Sequence, residues 1–332
     1  MNTQQSSNLL SGLLRHATQD ETKKKKLIAG IVAGLSQHAK KKESMRTRSL
    51  SDLLSATKTP KAKNDNAWDW YIKGNHAYYD EENYEEAVRC YRKAADMGVA
   101  DAQYELGICY HRGDGVAQDD EMALKWWLLA AEQNHTHAEN EIGDWEYEAG
   151  NYDEAFMWYN KALEHDEVNW WAMYNLAWCY HKAQGTIRDA EKALKWYSEA
   201  ASFDYGPALY QLGVFHEFGF MGNNGEDLVK VDIEKAKEYY DKAAKNGSSG
   251  AADALADLQR VYNDTGDREY WYQKGIEAFE NDERHKAARW WRRAAEAGHV
   301  EAQCKLGECY AGYSGFERVY SEGIKWYTKA AN

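Results

Sequence analysis

The chain has 332 residues, with 14 Trp, 24 Tyr and 7 Phe, and a formal net charge of −13. Residues 1–66 contain no aromatic residue and no Cys, and carry 13 Lys or Arg against 5 Asp or Glu, which leaves 28 basic against 49 acidic residues in 67–332. So acidic a body excludes nucleic acid as a ligand of the folded part, because phosphate recognition needs clustered Lys and Arg, and five cysteines without CxxC or CxxxH spacing exclude a zinc site built on them.

In chain order, residues 1–66 read as a basic, largely disordered tail. Its apolar stretch Leu27–Leu35, between Lys23–Lys26 and Lys40–Lys42, is far shorter than the roughly 20 residues that cross a bilayer. Gln37-His38-Ala39 is a poor cleavage site for export, so a cytoplasmic chain is expected. Leu9, Leu10, Leu13 and Leu14, and later Leu50, Leu53 and Leu54, have helical spacing. They give the tail a second reading, a basic amphipathic anchor for an anionic membrane surface.

From residue 67 the sequence repeats itself. Leu106-Gly107 with Tyr110 recurs as Leu212-Gly213, as Leu306-Gly307 with Tyr310, and with Ala for Gly as Leu176-Ala177 and Leu255-Ala256. Ile142-Gly143 and Lys73-Gly74 are looser copies. After the anchor comes Ala123-x-x-Trp126-Trp127-x-x-Ala130-Ala131, which returns at Ala193, Ala236 and Ala287. Apolar residues at i, i+3, i+4, i+7 and i+8 make one face of a helix, so each repeat predicts a helix hairpin and no strands. Asn83, Asp119, Asn151, Asp189 and Asp232 stand where the second helices need N-caps. Glu86 and Glu154 are placed to complete capping boxes with Asn83 and Asn151.

Residues 101–134, with A-x-Y-x-L-G-x-x-Y, G-x-G-V, an Asp and A-x-x-W-W-x-x-A-A, resemble a Sel1-like repeat, and 68–98 and 137–165 resemble ordinary tetratricopeptide repeats. The resemblance implies an all-α, right-handed α-α superhelix whose first helices line the concave face, and an interaction scaffold rather than an enzyme. Anchors 256 and 275 are too close for two helices. The chain therefore reads as a first array over 67–263, five repeats plus a closing helix, and a second of two repeats over 267–332. The second array ends without an obvious polar cap, which leaves its last face for more chain, a partner or a second copy.

Two columns on the first helices are the candidate partner-binding residues: Tyr104, Tyr174 and Tyr210 three before the anchor, and Tyr78, His111, Tyr147, His181 and Glu217 four after it. Tyr and His offer apolar area with a polar tip, which suits an acidic groove for a peptide or helix of another protein. Tyr three before the anchor also belongs to the repeat pattern itself, and so can serve packing between repeats. His135-x-His137 lacks a third ligand in fixed spacing, and no nucleophile, base and oxyanion donor are grouped. No catalytic residue, cofactor or metal is expected.

Overall fold

The computed structural model describes residues 67–312, 316 and 318–332; the tail and its apolar stretch lie outside them. Among the described residues fifteen α-helices follow one another: α1 Ala67–Asn75, α2 Tyr84–Asp96, α3 Ala100–Arg112, α4 Asp120–Ala131, α5 Thr136–Ala149, α6 Tyr152–His165, α7 Trp170–Lys182, α8 Ala190–Ser202, α9 Gly206–Phe218, α10 Ile233–Lys245, α11 Ser249–Asn263, α12 Arg268–Glu280, α13 Arg284–Glu296, α14 Val300–Tyr310 and α15 Tyr320–Ala331. A π-helical turn, His76–Asp80, prolongs α1. The helices pair as seven hairpins in a right-handed α-α superhelix, with α11 single between α9–α10 and α12–α13.

The anchor glycines and the aromatic pairs explain each other. A Cβ on Gly107 would run into the Trp127 ring, and one on Gly275 into Trp291. Tyr91, Tyr159 and Tyr240 cover Gly74, Gly143 and Gly213 in the same way. The second aromatic of each pair thus lies flat on the bare backbone of the first helix, which closes the hairpin and keeps water out of its seam. Cys109, Cys179 and Cys309 share one repeat position inside this core, and burial pushes their thiols up to about 12.

The caps form with two departures. Asp119, Asp189 and Asp232 accept from the first amides of α4, α8 and α10, and Asn83 accepts from the Glu86 amide at 3.2 Å. Asn151 makes no cap bond to α6; its side-chain Nδ2 donates to Glu146 Oε2 at 2.7 Å, which orients the amide toward α5. The capping box at Asn83 does not close. The Asn83 amide donates to the Ala77 carbonyl at 2.8 Å, and Glu86 turns to Arg89 and Lys73.

Strands were not expected, yet Phe220–Met221 (β1) and Asp227–Val229 (β2) form a short antiparallel ribbon in the long turn after α9. Its side chains pin it to the previous repeat. Phe220 is fully buried and stacks on Phe215 with centroids 3.9 Å apart. Asn223 Nδ2 donates to the Arg188 carbonyl, and Arg188 donates to the Met221 carbonyl and Asn223 Oδ1.

The single helix α11 brings α13 back against the end of α9. There Glu217, wholly buried, takes Arg289 Nε and Nη2 at 2.8 and 3.0 Å and the Tyr240 hydroxyl at 2.7 Å. Arg292 Nη2 donates to the Glu217 carbonyl at 2.7 Å and lies 2.6 Å from the Tyr310 hydroxyl. Burial alone would push the Glu217 carboxyl up. Arg289, Arg292 and the Tyr240 hydroxyl together outweigh it and hold the group below the usual carboxylate range.

Candidate functional site

Two of the eight candidate residues do not face a groove. Glu217 is the centre of the buried cluster just described. His181 is 3 % exposed and boxed by Trp178, Tyr197, Phe215 and Phe220, the last delivered by the β-ribbon. Both lost their exposure to groups from the following repeats, which helical spacing within one repeat does not reveal.

The column four after the anchor turns out to make joints between repeats. Tyr78 donates to Asp114 Oδ2 at 2.6 Å, in the turn of the next repeat, and burial with that bond pushes its hydroxyl up to about 12. Tyr147 donates to Gln184 Oε1 at 2.5 Å, also one repeat ahead, and accepts from Trp178 Nε1 at 2.7 Å. Both rings keep part of their surface in solvent. His111 is exposed, with Nδ1 3.2 Å from Asp120 Oδ1.

The other column packs on the residue that starts the next first helix. Tyr104 stacks on His135 with centroids 4.9 Å apart, and Tyr174 meets Tyr205 edge-on at 5.4 Å. His135 is no free ligand, since its Nδ1 accepts the Ala138 amide and caps α5. Among the described residues no group of three or more His, Cys, Asp or Glu is placed to hold a metal ion. Tyr210, half-buried, lies 5.5 Å from Tyr240 and borders a cavity of about 480 Å³ with Asp253, Asp257 and Arg289.

Sequence reasoning missed a cavity on this face. Between α5 and α7 lies a cavity of about 220 Å³, bounded by Asp144, Tyr147, Tyr159, Tyr174, Asn175 and Trp178. Asp144 Oδ1 accepts from the Tyr159 hydroxyl at 2.7 Å and from Asn175 Nδ2 at 2.9 Å. Burial nevertheless pushes this carboxyl up to about 6, with Glu148 adding to the rise. One turn away, burial and the charge of Asp144 push Glu141 up to about 7. The residue after the anchor is Ile108, Trp178, Val214 or Ile276 in four repeats but Asn75, Asp144 and Glu308 in the others, so position alone does not single out Asp144.

These two carboxyls keep protons in the folded chain that the unfolded chain releases near pH 4. Between about pH 4 and 7 the folded state therefore binds more protons, and their contribution to stability falls as pH rises. Asp144→Asn combined with Glu141→Gln should thus gain stability relative to the parent at pH 8 and gain little or none at pH 5, read by urea melts. An equal difference at both pH values would show that the pair titrates normally.

The chain matches the Sel1 repeat model over 69–99, 100–135, 137–167, 172–202, 206–248, 262–299 and 300–332. It is 30% identical over 258 residues to the chitin synthase regulator SKT5 of Saccharomyces cerevisiae, a match covering 74% of this chain and 34% of that protein. An uncharacterized protein of Neisseria meningitidis is 28% identical over 284 residues, 80% of this chain and 58% of its own length. The chain thus spans from a third to under two thirds of these relatives. The Sel1 repeat protein from Oxalobacter formigenes superposes with a TM-score of 0.50 at 26% identity, covering 79% of this chain and 98% of that structure. Seven matched repeats over the paired helices place the chain in the Sel1 repeat family.

Proposed function

We propose that the chain is a non-catalytic adaptor that holds a peptide or helix of another protein against the face of its first helices. Tyr78, Tyr104, His111, Tyr147, Tyr174 and Tyr210 are the side chains of that face that keep exposed area. The observation that carries the reading is the run of half-exposed aromatic rings beside carboxylates that burial has pushed up, Glu105, Glu141 and Asp144. Such groups gain from a partner that supplies apolar area and positive charge together. Sel1-repeat proteins are in general interaction scaffolds, and a relative named for regulating chitin synthase suits a role exercised through binding.

His111→Ala combined with Glu141→Lys tests the face. Quantitative affinity capture should lose a defined set of partners with this variant and keep them with Glu199→Lys, on the exposed side of α8. Equal capture by both variants would move the working surface away from the first helices. The charge split between residues 1–66 and the body supports a second reading, a membrane-surface adaptor held by the tail. Among the described residues no helix is long and apolar enough to cross a membrane. Flotation with anionic vesicles decides it: the full chain should float, and the full chain with Lys23–Lys26 and Lys40–Lys42 changed to glutamine should not.

A further inference from the structure

The cavity between α5 and α7 has walls of one chemical kind. Tyr147 stands on α5, Tyr174 and Trp178 on α7, and Tyr159 comes from α6. Apart from the Tyr174 hydroxyl, the polar tips of the ring walls already have partners. Trp178 Nε1 donates to the Tyr147 hydroxyl, which donates to Gln184, while Tyr159 and Asn175 donate to Asp144. An entering group therefore meets ring faces, the Tyr174 hydroxyl, the Asn175 amide and one carboxylate.

That carboxylate is served only in part. Its hydrogen-bond donors, Tyr159, Asn175 and Trp171, are all neutral, and the charged neighbour that weighs most on it is another acid, Glu148. Elsewhere the chain supplies its own cations to its tryptophans: Lys93 sits 3.8 Å over Trp70, Lys161 4.6 Å over Trp158 and Arg293 4.5 Å over Trp271. Among the described residues no lysine or arginine is seated on Tyr147, Tyr159 or Tyr174, and the contact with Trp178 is Lys182 at 5.5 Å. At about 220 Å³ the space equals about seven water volumes, enough for one long side chain and too little for a helix.

We propose that this cavity is a receptor for a single lysine or arginine side chain presented by a basic segment of a partner protein. The charged head lies against Asp144, and the methylenes lie between Tyr174, Trp178 and Tyr147. Ring faces attract a cation through their quadrupole, and a carboxylate adds a charge-assisted hydrogen bond. Glu141, one turn earlier on α5 and close enough to feel the Asp144 charge, adds negative charge beside the cavity once it is deprotonated, with Arg112 also acting on it. The partner's being a protein rests on the adaptor reading above; the cation specificity rests on the cavity alone.

The probes are n-butylguanidinium and n-butylammonium, with 1-butanol as the uncharged control, titrated into the full chain while the Trp178 indole N–H is followed by NMR. Saturable shifts with the two cations and none with butanol are expected. Asp144→Asn should weaken cation binding by about tenfold or more. Tyr174→Leu, which keeps the carboxylate, should weaken it several-fold, about the value of one cation–π contact. Butanol binding as well as the cations, or Asp144→Asn binding them undiminished, would overturn the proposal. In the full chain with Lys23–Lys26 changed to glutamine, unchanged probe affinity is expected. A tighter affinity would mean that this chain's own basic segment occupies the cavity, which overturns the assignment to a partner. A cavity that ignores cations while the His111→Ala, Glu141→Lys chain still loses its partners would remove this inference and leave the adaptor standing. Cation binding without any effect of that variant on capture would do the reverse.

Discussion

Glu217→Ala is expected to lower the free energy of unfolding by about 3–5 kcal/mol, the usual consequence of deleting one side of a buried ion pair. The carboxylate is wholly enclosed, and its loss leaves Arg292, 2 % exposed, without its anion and Arg289, 5 % exposed, with only the partly exposed Asp257 at 3.5 Å. Tyr240 loses its acceptor as well. In a repeat array stability passes between neighbours, so the damage should fall on the junction. Amides of α13 and α14 should exchange faster while those of α3 to α5 hold, and urea melts should develop an early transition. A shift below about 1 kcal/mol would show that apolar packing around Phe218, Val261 and Trp271 holds the junction by itself. The pH dependence has a definite sign. Because the folded value is depressed, the pair's contribution is present above the unfolded value, near pH 4, and is lost as pH falls through the lower folded one. Glu217→Gln should therefore flatten the acid limb of the stability curve.

The second large effect is expected at Gly185. Its φ of +69° lies in the left-handed region, and a Cβ there would run into the carbonyl of Tyr152, the first residue of α6 in the preceding repeat. Strain of this kind costs about 1–3 kcal/mol, and overpacking against backbone, which has no rotamer to yield, adds about 1–3 kcal/mol. Gly185→Ala should thus lose about 2–5 kcal/mol. Gly247→Ala is the control. Its φ is +82°, but nothing lies within 4 Å of the added Cβ, so only the backbone strain remains. Matching losses in chemical denaturation for the two variants would mean that the turn of one repeat does not bear on the helix start of the one before.

What could be read from the sequence follows from how each feature is encoded. The hairpins were legible because an anchor glycine and a second-helix aromatic, Gly107 with Trp127 or Gly213 with Tyr240, recur in the same order and make their contact inside one repeat. Caps such as Asp119 and Asp189 were legible for the same reason. The features that escaped depend on contacts between repeats. Glu217 stands in a column with Tyr78 and Tyr147, and nothing near it in sequence announces Arg289, 72 residues away. His181 reads as a groove residue until Phe220 covers it, and Phe220 does so through a ribbon that no periodicity predicted. The cavity around Asp144 lay between these cases. The carboxylate stands where four repeats carry an apolar residue and two carry Asn75 and Glu308, and its aromatic walls come from three helices and assemble only when the repeats stack.

The two tyrosine hydroxyl links, Tyr78 to Asp114 and Tyr147 to Gln184, also make the array mechanically uneven. They tie the first repeat to the second and the third to the fourth, while His111, at the same position in the second repeat, bonds within its own hairpin through Asp120. The seam between the second and third repeats relies instead on the stack of Tyr104 on His135 and on Lys161 donating to the Ala131 carbonyl at 3.5 Å. Under tension it should therefore yield before the two tied seams. The segment from α5 to α8 would move as a single stiff unit carrying the aromatic cavity intact.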